Sequence, residues 1–226
     1  MAKKKLIRFK QIEEFPHVAE PAFDEILDKD YNLKGKWAKS FFGNSHPIVL
    51  ELACGKGEYT VALAKAFPNI NFLGLDIKGS RIWYGAQQAI DENIPNAKFL
   101  RTRIDLIESF FGENEIDEIW ITFPDPQPQE SREKKRLTSD RFLNRYRKFL
   151  KPNGAVNLKH DSDSFYQYTL EQIGKHGFKL HHRFDDVYNQ IDEIPEKYAT
   201  VYKVQTHYEK LFAAKGHVIK FVSFSI

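Results

Sequence analysis

The sequence predicts an α/β protein of three layers, with helices on both faces of a mostly parallel sheet. Three observations predict it. From Pro47 onward, short β-branched and aromatic runs alternate with helical stretches, the pattern of strand–helix units wound around one sheet. A glycine turn, Cys54-Gly55-Lys56-Gly57, joins the first of these runs to the first helix, and glycine there lets the backbone turn sharply and lie close to a nucleoside. A charge-free strand, Ile119 to Phe123, ends in Pro124-Asp125-Pro126-Gln127-Pro128. Its prolines hold the backbone extended and display one carboxylate at the strand's carboxyl end, the edge at which open α/β sheets bind ligands.

The chain divides at about residue 45 into an amino-terminal basic arm with short lead-in helices (1–45) and an α/β domain (46–226). Met1 to Phe15 carries Lys3, Lys4, Lys5, Arg8 and Lys10 before any hydrophobic periodicity. It reads either as an arm that folds onto a polyanion or as a mobile solubilising tail. Short helices are expected around Phe23 to Leu27 and Trp37 to Phe42. Seven strands follow: Ile48 to Leu52, Asn71 to Leu75, Ala97 to Arg101, Ile119 to Phe123, Ala155 to Leu158, Phe178 to His182 and Val218 to Phe224. Between them lie helices from about Glu58 to Phe67 and Ser80 to Glu92, a short one from Asp105 to Phe111, and one from Thr138 or Ser139 to Leu150. Lys151-Pro152-Asn153-Gly154 stops that last helix, Asp161 or Ser162 caps another running to about Lys175, and a final helix is expected near Tyr208 to Ala214.

Composition bounds the function. At 226 residues, with 42% hydrophobic and 29% charged residues, the chain has the make-up of an ordinary soluble domain. Its single cysteine, Cys54, excludes an internal disulfide and suggests a reducing compartment. No apolar run is long enough for a bilayer and no signal-peptide core is present, so the cytoplasm is expected. The net charge of +3 is modest, but Glu130 to Lys151 holds nine Lys/Arg against three Asp/Glu, a local basic patch compatible with phosphate contacts or with simple solvation. The helix that starts at Ser139 mounts this patch. Phe142, Leu143, Tyr146, Phe149 and Leu150 form a core-facing stripe, while Arg141, Arg145 and Lys148 share another face. The eight histidines include His181-His182, but no spacing matches a metal site, and no metal is expected.

The glycine turn sets the candidate ligand. Asp76, 19 residues past Gly57, ends the second strand and can accept both hydrogen bonds of a ribose diol. A nicotinamide dinucleotide and S-adenosylmethionine both fit that pattern. Thr60 stands where a third glycine would be, and Glu51 stands at the mouth of the turn. There a carboxylate would repel a pyrophosphate, at a cost of roughly 1 to 4 kcal/mol for charges ~4 Å apart, yet attract the cationic amino-acid end of S-adenosylmethionine. Asp105 could bond an adenine amino group. The plain alternative for Glu51 is a surface carboxylate beside Lys56.

Glu51-x-x-Cys-Gly55-x-Gly57, then Phe123-Pro124-Asp125-Pro126, Lys135-Arg136-Leu137 and Thr206-x-Tyr208-Glu209 occur in that order. Together they resemble the bacterial tRNA (guanine-N7-)-methyltransferase family over about residues 45 to 222. The resemblance implies a Rossmann-like S-adenosylmethionine-dependent methyltransferase fold with an antiparallel carboxyl-terminal strand, working as a monomer or homodimer on tRNA. The implied reaction is methylation of guanine N7 at position 46 of the variable loop. It implies that Glu51, Gly55, Gly57, Asp76, Asp105 and Asp125 hold S-adenosylmethionine, with Asp125 also catalytic. Gln129, Asp161, Thr206, His207, Tyr208 and Glu209 would contact the guanine or its nucleotide, and Ser131, Arg132, Glu133, Lys134, Lys135 and Arg136 the RNA. Four positions depart from the family's pattern: Gln127 and Gln129 replace its usual tryptophan and lysine, His160 replaces the threonine of K-T-D, and Asp76 replaces a common glutamate. A methyltransferase for another substrate, a nicotinamide-dependent oxidoreductase and a non-catalytic tRNA-binding protein are the competing readings.

Overall fold

A computed structural model describes residues 2–26 and 28–226. In chain order the elements are α1 (Ala2–Glu14), β1 (Val18–Ala19), α2 (Phe23–Ile26), β2 (Ile48–Leu52), α3 (Glu58–Ala66), β3 (Asn71–Asp76), α4 (Gly79–Asp91), β4 (Ala97–Arg101), β5 (Ile116–Thr122), α5 (Asp140–Tyr146), β6 (Leu150–His160), α6 (Asp163–His176), β7 (Lys179–Phe184), α7 (Thr200–Lys203), α8 (His207–Ala213) and β8 (Lys220–Ser225). The strands form one sheet in the order β1-β4-β3-β2-β5-β6-β8-β7. β8 alone runs against the others, pairing antiparallel with both β6 and β7.

The strands alternate their side chains between two cores. Leu50, Leu52, Ile119 and Ile121 pack with Phe142, Tyr146 and Phe165 of α5 and α6. Val49 and Trp120 pack with Tyr59, Leu63, Ile82 and Phe99 on the α3–α4 side. A parallel sheet covered on both faces needs apolar side chains at successive positions, and β2 is buried at all five of its residues.

Three expectations change. The sheet has eight strands, not seven, because Val18–Ala19 adds an edge strand beside β4; two residues are too few to show a period. The amino-terminal arm is a docked helix rather than a tail. Ile12 is fully buried, Gln11 accepts a hydrogen bond from Trp83 Nε1 at 2.8 Å, and the Arg8 guanidinium lies 4.7 Å and 4.3 Å from the Trp83 and Tyr84 ring centroids. The side chains of Lys3, Lys4 and Lys5, and Leu27 at the end of the expected 23–27 helix, lie outside the described residues. Finally, the helix from Ser139 ends at Tyr146, and Pro152-Asn153-Gly154 sits inside β6 as a bulge between the pairs Ile116↔Leu150 and Glu118↔Ala155. Asn153 takes φ 64° there, a left-handed conformation that bulges and helix ends share.

The parallel register brings the carboxyl ends of β2, β3, β5 and β6 to one edge: Leu52 pairs with Leu75 and Ile121, and Thr122 with Lys159. The glycine turn, Asp76, the proline ledge and His160 all leave the sheet from that edge.

Candidate active site

The turn after β2 is built from left-handed residues: Ala53, Gly55 and Gly57 have φ of 57°, 59° and 71°. Glycine is required at Gly57 for a second reason. A Cβ there would come within 2.4 Å of the Phe99 ring, so the turn lies flat against β4. At Gly55 a Cβ would meet nothing within 4 Å, so the backbone of this residue faces open space. The Gly55 N–H donates to Asp76 Oδ2 at 3.0 Å and the Lys78 N–H to Asp76 Oδ1 at 2.8 Å. Two backbone amides therefore fix the Asp76 carboxylate at the end of β3, each oxygen keeping a lone pair for a ligand.

A cavity of about 570 Å³ opens beside this turn, and Ala53, Asp76, Asp105, Asp125, Lys135 and Arg141 are among the residues that line it. Three of the acids expected to hold a cofactor thus share one hollow. Asp105 is gripped by Arg103, Nη2 to Oδ2 at 2.7 Å and Nε to Oδ1 at 3.1 Å, and hydrogen bonding to that guanidinium holds its carboxyl below the ordinary aspartate range. Asp125 is exposed on the ledge. Its Oδ1 accepts the Gln127 N–H at 3.1 Å, an Asx turn that aims the carboxylate. Phe123 and Gln127 flank it with φ of 47° and 49°, so the ledge bends where the prolines alone predict extension. Arg136 holds the bend, donating from Nε to the Gln127 carbonyl at 3.1 Å and from Nη2 to the Pro128 carbonyl at 3.4 Å.

Glu51 does not stand at the mouth of the turn. It is 3% exposed, beneath the turn, where it accepts hydrogen bonds from the Thr60 and Thr122 hydroxyls. Burial pushes its pKa up to about 7 against these bonds. Thr60, which breaks the three-glycine pattern, is there to satisfy this carboxyl. Glu51 is thus neither a surface carboxylate beside Lys56 nor part of the cavity wall.

The T-x-Y-E segment also differs from its expected role. Thr206 caps α8, accepting the Glu209 N–H at 3.2 Å, and the Glu209 carboxylate reaches back to the Thr206 N–H at 3.4 Å, a capping box. Glu209 is fully buried and pairs with the equally buried Lys159, Nζ to Oε1 at 2.7 Å, while Tyr188 donates to Oε1 at 2.6 Å. Its oxygens are committed, so it anchors α8 to β6 instead of facing a base. His207 donates its backbone N–H to Glu58, and Tyr208, 37% exposed, has the Arg81 guanidinium 5.9 Å from its ring centroid.

Asp161 lines a neighbouring hollow of about 430 Å³ with Asp163, Asp185, His217 and Lys220. His217 Nδ1 lies 2.9 Å from its Oδ2, while its Oδ1 is buried without a hydrogen-bond partner. The basic run splits as well. Gln129, Ser131, Arg132, Lys134 and Lys135 are exposed, whereas Glu133 accepts from the Tyr168 hydroxyl at 2.9 Å and Arg136 turns inward to the ledge. Beyond it, Arg145 and Lys148 pair with Glu108, and Lys151 with Asp117. Sequence reasoning missed Arg103, Thr122, Lys159, Tyr188 and the inward role of Arg136. Thr122, Lys159 and Tyr188 act through partners far along the chain; Arg136 reaches carbonyls eight and nine residues back across the bent ledge, and the spacing of Arg103 from Asp105 was visible.

The doubly wound sheet, with an acid-lined hollow at its carboxyl edge and one reversed strand, defines a Rossmann-like methyltransferase. Solved structures share the fold. They include an antibiotic-related methyltransferase (TM-score 0.60, 16% identity, 88% of this chain and 96% of that one) and the 16S rRNA methyltransferase KamB (TM-score 0.58, 15% identity, 80% and 87%). A family model described as "Putative methyltransferase" matches residues 45–222. The tRNA (guanine-N(7)-)-methyltransferase of Christiangramia forsetii is 47% identical over 225 residues, covering 100% of this chain and 99% of its own, and that of Bacteroides thetaiotaomicron is 42% identical, covering 100% and 87%. The chain belongs to the tRNA (guanine-N(7)-)-methyltransferase family.

Proposed function

We propose that this protein transfers a methyl group from S-adenosylmethionine to N7 of a guanine in tRNA, the guanine at position 46 of the variable loop, and that residues 46–226 form the catalytic unit. The observation that carries this reading is the convergence of Asp76, Asp105 and Asp125 on one cavity, in a chain that matches the named relatives along its whole length.

The residues present suit the donor. Asp76 offers lone pairs to a ribose diol, Asp105 an acceptor to the adenine amino group, and the open face of Gly55 leaves room for a nucleoside to approach the backbone. When bound, the donor supplies an electrophilic methyl on a sulfonium. Guanine N7 carries a free lone pair in the neutral base, so the chain needs no general base; its task is alignment, worth about 7 to 11 kcal/mol when two reactants are held in line. Asp125, fixed by its Asx turn and by Arg136, faces both the donor and the base. Asp161 Oδ1, an acceptor still without a partner, suits the N1–H or N2–H of guanine. Methylation leaves a positive charge on the base, which these carboxylates stabilise. The lysines and arginines at the rim, Arg132, Lys134, Lys135 and Arg141, suit the phosphates of the RNA.

The test is incorporation of labelled methyl groups into total tRNA, with the modified nucleoside identified and mapped. The expected product is 7-methylguanosine at position 46. Donor consumption with another product, or tRNA binding without incorporation, overturns the proposal.

A further inference from the structure

His160 closes β6 and is 3% exposed, wedged between the proline ledge and the start of α6. Its two ring nitrogens have fixed and opposite roles. The Ser162 N–H donates to Nδ1 at 2.8 Å, and the Pro124 carbonyl oxygen lies 2.9 Å from Nε2. A backbone amide can only donate and a carbonyl can only accept, so both contacts require the same form: a neutral imidazole with its proton on Nε2. The ring is also walled in, 5.7 Å from the Phe123 ring and 5.4 Å, edge to face, from Phe165. The Pro124 carbonyl belongs to the peptide that leads into Asp125. Ser162 follows Asp161 directly and caps α6, accepting the Phe165 N–H at 3.4 Å. One side chain therefore ties together the backbones that carry two carboxylates opening on separate hollows.

We propose that His160 is a positioning residue, a neutral brace that sets Asp125 against Asp161 and so aligns the methyl donor with the base. The inference deepens the proposed methyl transfer and rests on it for the roles of the two aspartates. This chain places a histidine where the family's K-T-D has a threonine, and so makes the connection with a longer group that can titrate. The charged groups facing it are Asp161, next in the chain just past β6, Asp125 on the ledge and Lys220 on β8. Burial, the largest influence, holds its pKa below the ordinary histidine value. Protonation turns Nδ1 into a donor. The Ser162 amide then loses its acceptor, and Nδ1 is drawn to Asp161 Oδ1, 3.3 Å away, the oxygen left for the base. Acid therefore breaks the brace and occupies the acceptor together.

Two variants divide the two bonds. His160→Gln keeps an amide donor long enough for the Pro124 carbonyl and removes the titration. His160→Asn keeps an acceptor for the Ser162 N–H, as in an Asx turn, and loses the ledge. We expect His160→Asn to lower kcat by about 10²-fold, the scale of a 1 Å misplacement, with little change in the KM for tRNA. His160→Gln, which gives up the Ser162 bond as the protonated ring does but keeps the ledge, should lower kcat less than His160→Asn and lose the acid limb of the wild-type kcat profile. Independently of activity, nitrogen-15 spectra of the histidine rings should show His160 neutral and protonated at Nε2 at pH 7. An Nδ1–H tautomer, an acid limb unchanged in His160→Gln, or an Asn variant that melts earlier yet keeps full kcat overturns the brace. A wild-type enzyme that forms no 7-methylguanosine while its His160 shows the Nε2–H form overturns the proposed reaction instead.

Discussion

Two carboxylates at this site sit in opposite environments. Asp125 is exposed and makes one backbone hydrogen bond, so its removal costs the fold little. Asp125→Asn keeps the acceptor oxygen of the Asx turn and loses only the charge. We expect it to lower methyl transfer by roughly 10²-fold or more, the scale of losing one transition-state electrostatic contact, with an unchanged melting temperature; near-normal turnover would remove Asp125 from the chemistry. Glu51 is the reverse case. Its carboxyl titrates near 4.5 when unfolded and about 7 when folded, so between those values the folded state holds more protons. The stability it contributes is fully present below pH 4.5 and is lost as pH rises through 7. At about 1.4 kcal/mol per pKa unit this comes to about 3 kcal/mol. Urea unfolding of wild type and Glu51→Gln at pH 5 and pH 8 checks it: wild type should lose stability over that interval relative to the variant, and parallel behaviour would show that Glu51 does not titrate there.

At the scale of elements, α8 depends on one buried ion pair. The helix has seven residues, too short to persist alone, and Glu209 on its first turn meets Lys159 of β6. Burial drives the Lys159 pKa down to about 8 even beside Glu209. Removing one partner of such a pair costs about 3 to 5 kcal/mol, whereas replacing both with apolar groups is often neutral. Glu209→Ala should therefore destabilise the protein by that amount in denaturant titrations, and Lys159→Met with Glu209→Leu should recover most of it. An equal loss in the double variant would mean that the Thr206 cap and Tyr188, not the ion pair, hold α8. This pair also marks how far the sequence could be read. β4 and the start of α6 were legible because period, cap and turn residues are local signals. Asp76, Asp105 and Asp125 were legible because each lies at or just past the carboxyl end of a strand. Glu209 and Arg136 were not, because a glutamate in a capping box and an arginine in a charge run both look solvated until the fold shows Lys159, 50 residues away, against the first and the bent ledge against the second. Pro152-Asn153-Gly154 misled for a related reason: helix stops and strand bulges use the same backbone conformations, and the pairing with β5 decides between them.

Across the whole molecule, the basic patch separates into cations that serve the fold and cations left for a partner. Arg145, Lys148 and Lys151 neutralise Glu108 and Asp117, and Arg136 holds the ledge while its guanidinium lies 4.4 Å from the Tyr168 ring centroid. Among the described residues, Arg132 and Lys134 make no ion pair, and both stand on the exposed turn Glu130–Lys135, beside the cavity that Lys135 lines. A polyanion docking there releases counterions for each phosphate neutralised, so the logarithm of affinity falls with the logarithm of salt at about 0.7 to 0.9 per contact. Arg132→Ala with Lys134→Ala should weaken tRNA binding and reduce that slope by about 1.5, measured by filter binding across a salt series. Arg136→Ala should leave the slope unchanged and lower kcat, since its charge is spent on the Gln127 and Pro128 carbonyls and its loss lets Asp125 move. Should Arg136→Ala flatten the slope as much as each of the other two, the run would act on RNA as one uninterrupted surface, and Arg136 would leave the ledge when tRNA binds.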